Sequence, residues 1–214
     1  MKFYITKTPR IIKKLFSRYT WCFSSNKKEI YLTFDDGPIP IVTEFVLDQL
    51  KQYNAKATFF CIGDNITKHP LIYKQILKEG HSIGNHTYNH LNGWKHTLKN
   101  YVLNIKKTQE IIEKQGKEKL LTKLFRPPYG KIKHSQATEL INKGYKIVMW
   151  DVLSADFDKK ISKEKCLENV LNNTFNGSII VFHDSIKAKE KLYYTLPKVL
   201  EEYTRKGYIF KAIY

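Results

Sequence analysis

Acidic residues are scarce in this chain: 20 Asp and Glu stand against 37 Lys and Arg in 214 residues, a formal charge of +17. That balance suits an anionic contact, whether nucleic acid, acidic glycan or membrane face. The lysines are scattered, mostly at helical spacing, and no nucleic-acid motif accompanies them, so a solvated surface is expected and a specific nucleic-acid partner is not. Cysteine is also rare. Cys22, Cys61 and Cys166 show no paired spacing and cannot all be joined within the chain, which argues for reduced, structural thiols. Cys61 lies inside the apolar run Ala57 to Ile62 and reads as a small buried hydrophobe. No apolar run is long enough to cross a bilayer. The basic N-terminus (Lys2, Lys7, Arg10, Lys13, Lys14, Arg18) is followed by no uninterrupted apolar core, so no secretory signal peptide is read. The expected setting is cytoplasmic, with peripheral contact at the membrane face left open. There is no internal repeat, linker or low-complexity tract.

What is present is the material of a packed domain, 42% hydrophobic and 14% aromatic. Residues 1–28 form a basic extension. Within it Ile11, Ile12, Leu15, Phe16 and Tyr19 make one face of a short amphipathic helix, expected to dock on the domain in preference to a membrane. Residues 29–214 form the domain itself. Strand-like runs at 30–34, 57–62, 81–84, 124–126, 146–150, 178–182 and 208–213 alternate with helical patterns. The helices fall around 42–50, at 70–78, from 98 to a stop at Gly116, and at 135–143, 162–172 and 189–205. About seven strands separated by helices is the signature of repeated βα units around a parallel sheet.

The chemically suggestive residues fall just after those strands. Asp35 and Asp36 follow the first, in Thr33-Phe34-Asp35-Asp36-Gly37-Pro38; His86 and His90 follow the third; Arg126 ends the fourth, before Pro127-Pro128-Tyr129-Gly130. Asp151 and Asp156 follow the fifth, and His183 and Asp184 the sixth. In a barrel of βα units those strand ends converge on one face, where active sites are built. One carboxylate of the Asp35–Asp36 pair with two imidazoles can hold a divalent metal and leave a position for water, and the other carboxylate is then free to act as a base. Two nitrogens and one oxygen favour zinc, with cobalt also acceptable. Arg126 suits a carboxylate partner, and the stiff loop after it can present N–H groups to an oxyanion. Which of Asp151, Asp156 and Asp184 meets His183 stays open. His69, His81, His96 and His134 fit no such pattern and read as structural or solvent-facing.

These segments, in this order, resemble the polysaccharide deacetylase family, also called the NodB homology domain or carbohydrate esterase family 4, over roughly residues 29–214. Its first three motifs are complete at Thr33 to Pro38, His86 to His90 and Arg126 to Gly130. The fourth, usually Asp-Ser-x-Asp-Trp, reads Leu153-Ser154-Ala155-Asp156-Phe157, and the fifth, usually Leu-x-His, reads Val181-Phe182-His183. The resemblance implies a distorted (β/α)7 barrel, TIM-barrel-like, and a metal held by Asp36, His86 and His90. It implies Asp35 as general base oriented by Arg126, His183 as general acid supported by Asp156, and the N–H of Tyr129 at the oxyanion. Phe157 and Val181 would help form the pocket for the acetyl methyl, and Pro127 is placed with them among the substrate-binding residues. The implied reaction removes N-acetyl groups from an N-acetylglucosamine-containing glycan. An O-acetyl carbohydrate esterase and a catalytically silent carbohydrate-binding domain are the alternatives.

Overall fold

The computed structural model describes residues 5–24, 26–115 and 122–214; Lys2 and the Gly116 helix stop lie outside them. Eight strands form one sheet: β1 (Glu29–Asp35), β2 (Ala57–Cys61), β3 (Ser82–Asn85), β4 (Lys123–Phe125), β5 (Tyr145–Ile147), β6 (Val152–Leu153), β7 (Ile179–His183) and β8 (Ile209–Phe210). Every pairing is parallel, in the order β5-β4-β3-β2-β1-β7-β6, with β8 beside the start of β1. The α-helices among the described residues are α1 (Arg10–Leu15), α2 (Val42–Gln52), α3 (Gly63–Lys68), α4 (Pro70–Lys78), α5 (Leu98–Gln115), α6 (His134–Asn142), α7 (Lys163–Leu171) and α8 (Lys189–Arg205). This is the expected α/β class, a parallel sheet curled into an open barrel with helices outside.

Period-two alternation positions the site. Along β1, Ile30, Leu32 and Phe34 enter the large core shared with Val46, Leu50, Leu196 and Val199 of α2 and α8. Thr33 and Asp35 point to the opposite, inner face. Arg126, wholly buried, reaches across to both.

The expected strand at 146–150 is cut short as β5, and a separate two-residue strand, β6, follows at the opposite edge of the sheet. β5 ends at Ile147, and the chain rejoins the sheet only at Val152, level with Ile180 of β7. The N-terminal segment ties both edges. Leu153 N–H donates to Thr6 and Thr8 N–H to Asp151, while Thr20 N–H donates to Ile147 and Met149 N–H to Thr20, all at 2.8–2.9 Å. Asp151 therefore sits level with the start of β7, not at its catalytic end. Its buried carboxylate accepts from Ser178 Oγ (2.7 Å), from Lys7 Nζ (2.6 Å) and from Lys13 Nζ. Of the apolar face expected to dock, Tyr19 packs against the core and Ile12 is half-buried, while Ile11, Leu15 and Phe16 stay exposed; Lys7, Lys13 and the backbone add to the attachment. Two features had no signal in the sequence, α3, whose one buried apolar side chain is Ile66, and the two-residue β6.

Candidate active site

Asp35 is the last residue of β1, one place earlier than a loop position, so the sheet itself aims its carboxylate. Arg126 Nη1 donates to Asp35 Oδ1 and to Thr33 Oγ1, each at 2.7 Å. Its Nε and Nη2 donate to the carbonyls of Val148 (3.1 Å) and Met149 (2.9 Å), and its guanidinium lies 4.1 Å above the Phe60 ring. Burial pulls the Arg126 pKa below its ordinary value and the Asp35 charge opposes that pull. A buried cation needs such an anion, so the two groups hold each other in place.

Asp36 follows with a left-handed backbone (φ 84°). Its Oδ1 is buried without a hydrogen-bond partner. Around it stand His90 Nε2 at 3.3 Å and His86 Nε2 at 3.8 Å. Both rings are held from behind. His86 Nδ1 bonds the carbonyl of Arg126 at 2.8 Å, and His90 Nδ1 bonds the Tyr129 hydroxyl at 3.0 Å. A carbonyl only accepts, so His86 carries its proton on Nδ1 and keeps the Nε2 lone pair inward. Burial lowers the pKa of both imidazoles, of His86 strongly, with His90 adding to the effect there. Neutral imidazoles are the ligating form.

These three donor atoms lie within 4.8 Å of one another, the one such grouping of His, Cys, Asp or Glu among the described residues. Ligands about 2.0–2.2 Å from a tetrahedral ion sit roughly 3.4 Å apart. The orphaned buried oxygen between two inward nitrogens therefore fits a small divalent cation. His69, His81, His96 and His134 are not in the group; His81 is buried elsewhere and accepts from Ala57 N–H at 3.3 Å.

Of the three candidate partners for His183, the structure selects Asp156. Asp156 Oδ1 is 2.8 Å from His183 Nδ1, and its Oδ2 accepts the His183 backbone N–H at 2.7 Å. Burial alone would lower the His183 pKa; the charge and hydrogen bond of Asp156, helped by Asp36 and Asp35, outweigh it and raise the value to about 9. Asp184 turns the other way, accepting from Gly37 N–H (3.0 Å) and Thr43 Oγ1 (2.6 Å). Burial pushes its pKa up to about 8. It braces the turn that carries Asp36, a role the sequence reading missed.

Tyr129 has a left-handed backbone (φ 61°) and an exposed ring packed on His90, with centroids 4.5 Å apart. The sequence reading used only its N–H; its hydroxyl also fixes His90. The Pro127 carbonyl accepts from Gly130 N–H at 3.0 Å, closing the loop. Val181 packs with Leu153 and Ala155, and Phe157 borders that apolar cluster with its ring 5.0 Å from His183. The departures in the fourth motif thus leave an apolar wall beside the acid–imidazole pair. Leu153, where the family usually has an acid, is part of that wall.

The polysaccharide deacetylase family profile matches residues 24–148. The chain belongs to that family. A peptidoglycan-N-acetylglucosamine deacetylase of Bacillus cereus is 40% identical over 198 residues, 91% of this chain and 90% of that protein. A second protein of the same name and organism is 44% identical over 170 residues, 78% of this chain; the match spans 61% of that longer relative. Among solved structures, the Bc1960 peptidoglycan N-acetylglucosamine deacetylase in complex with a naphthalenyl N-oxidanyl-benzamide superposes with a TM-score of 0.87. It is 38% identical, with 96% of this chain and 95% of that one covered.

Proposed function

We propose that this polysaccharide deacetylase hydrolyses the N-acetyl group of N-acetylglucosamine residues, with zinc bound by Asp36, His86 and His90. The observation that carries the reading is the lone buried Asp36 Oδ1 facing two inward imidazole nitrogens. An arginine-paired carboxylate and a carboxylate-paired imidazole accompany it. When bound, the cation supplies Lewis-acid polarisation of the acetyl carbonyl and makes water a stronger acid. Asp35, held in place by Arg126, takes the proton from the attacking water. The N–H of Tyr129 stabilises charge developing on the carbonyl oxygen. His183, held protonated by Asp156, gives its proton to the departing amine. Phe157 and Val181 accept the acetyl methyl, and Pro127 stiffens the adjoining wall. The names of the two Bacillus cereus relatives support peptidoglycan as the first substrate to try.

The test is acetate release from N-acetylated chitooligosaccharides and peptidoglycan with zinc or cobalt supplied. Release should vanish in Asp35→Asn, by at least about a thousandfold if the base is lost, while that variant still binds zinc. His86→Ala should lose zinc affinity as well. Activity retained in both variants would sink the assignment, and release from O-acetylated sugars alone would replace the amidase by an esterase.

A further inference from the structure

The first 28 residues contain eight Lys and Arg and no Asp or Glu. Within them α1 is held firmly on its inner side. Lys13 of this helix bonds the buried Asp151, and Thr8 before it and Thr20 after it are hydrogen-bonded to the sheet edges. Its outer side is apolar yet faces water: Ile11 and Leu15 are each 75% exposed and Phe16 45%. Ile11 and Leu15, four apart, share one face of the helix. Arg10, Lys14 and Arg18 surround that face, exposed and in no ion pair among the described residues. Beside it opens a cleft of about 420 Å³ lined in part by Tyr19, Trp21, Phe23 and Lys146.

We infer that this face docks on the surface of an anionic lipid bilayer. Aliphatic side chains ringed by cations, with Trp and Tyr adjacent, match the acyl boundary and the phosphates above it. A second copy of the chain is a poorer occupant, because an isologous contact would set Arg10, Lys14 and Arg18 against the same three cations. A purely polyanionic partner leaves the exposed Ile11 and Leu15 unexplained. Asp151, which anchors the helix, bonds Ser178 at the start of β7, while His183 ends that strand. Five residues of strand, roughly 16 Å, separate the two levels. The anchor of α1 thus lies at the end of the barrel opposite the metal-binding group.

The experiment is co-sedimentation of the full chain with phosphatidylcholine vesicles, with and without phosphatidylglycerol, at two salt concentrations. Binding is expected to the phosphatidylglycerol vesicles and to weaken with salt. Ile11→Ser with Leu15→Ser should weaken it at least about tenfold, and Lys14→Glu with Arg18→Glu by a similar factor. These side chains lie in water, so an unchanged thermal midpoint shows that the variants are folded, and Lys51→Glu at the far end of α2 serves as the charge control. No sedimentation, or equal binding to neutral vesicles, overturns the inference. So does binding that the charge reversals abolish but the serine pair leaves intact, which would mark adsorption to any polyanion. A lipid-free dimer that dissociates in the serine variant would assign the face to a second copy. None of these readouts depends on acetate release.

Discussion

A Cβ built on Gly37 would lie 1.9 Å from Asp184 Oδ2, so at this position the absence of a side chain is a requirement of the site. The Asp184 carboxyl occupies the space and bonds Gly37 N–H, fixing the peptide next to the ligand Asp36. Gly37→Ala should displace that turn, costing about 1–3 kcal/mol of stability by overpacking and weakening zinc affinity; chemical denaturation and zinc competition measure the two effects. Unchanged zinc affinity would mean that the brace is not needed for the ligand. His183 supports a second residue-scale prediction. Its proton is needed at the leaving amine, and its pKa of about 9 keeps it charged below that pH. The ratio kcat/KM should therefore fall as pH rises past about 9. In Asp156→Asn the burial that lowers the pKa is countered only by the lesser charges of Asp36 and Asp35, so the alkaline limb should move below 9. A limb that stays in place would remove His183 from the role of acid.

At the scale of elements, the attachment of residues 5–24 to both sheet edges makes a prediction about Asp151. It stands after a strand-like run, as a catalytic acid would, but it lies at the opposite end from His183, among Ser178, Lys7 and Lys13. Burial lowers the Lys7 pKa while Asp151 opposes the shift. Asp151→Ala should cost about 2 kcal/mol, less than a fully enclosed pair because the ammonium groups can turn to water. It should leave kcat/KM of the zinc-loaded enzyme within about twofold. A large loss of turnover in a stably folded variant would return Asp151 to the list of functional candidates. This residue also marks where the sequence stopped being informative. Apolar periodicity located α2, α4 and α8 almost to the residue, because their buried faces repeat every three or four positions. It ran Lys146 to Trp150 together as one strand, since nothing local records that β5 ends at Ile147, that Thr20 of the N-terminal segment bridges Val148, and that the chain then crosses to the opposite edge at Val152. Long-range backbone pairing has no local spacing signal. The same holds within the site. Residue types and strand ends were enough to gather the Asp35–Asp36 pair, His86 and His90 as metal-site candidates, and the family resemblance pointed to Asp36; that Asp156 and not Asp184 meets His183 depends on which way each carboxylate turns in space.

For the molecule as a whole, the metal group is assembled from the ends of β1 and β3, and each part is already held by protein contacts. Arg126 and Tyr129 fix the two imidazoles, and Asp184 fixes the turn of Asp36 through Gly37. A site organised in this way should exist before the ion arrives, so the barrel should fold without metal and gain stability on binding it. With zinc at about one hundred times its dissociation constant the gain is about 2.7 kcal/mol, a rise in thermal midpoint of roughly 5–10 °C for a chain of this size. Asp35→Asn should keep most of that rise, because Asp35 faces Arg126 and is not one of the three ligands. His86→Ala should lose it, and a chelator should reverse it in the wild type. Scanning calorimetry of the three proteins with and without zinc reads this directly. A wild-type midpoint indifferent to zinc would remove the metal from the reading. An unfolded apo protein would show instead that the ion builds the site, and that the contacts behind the ligands are too weak to hold it alone.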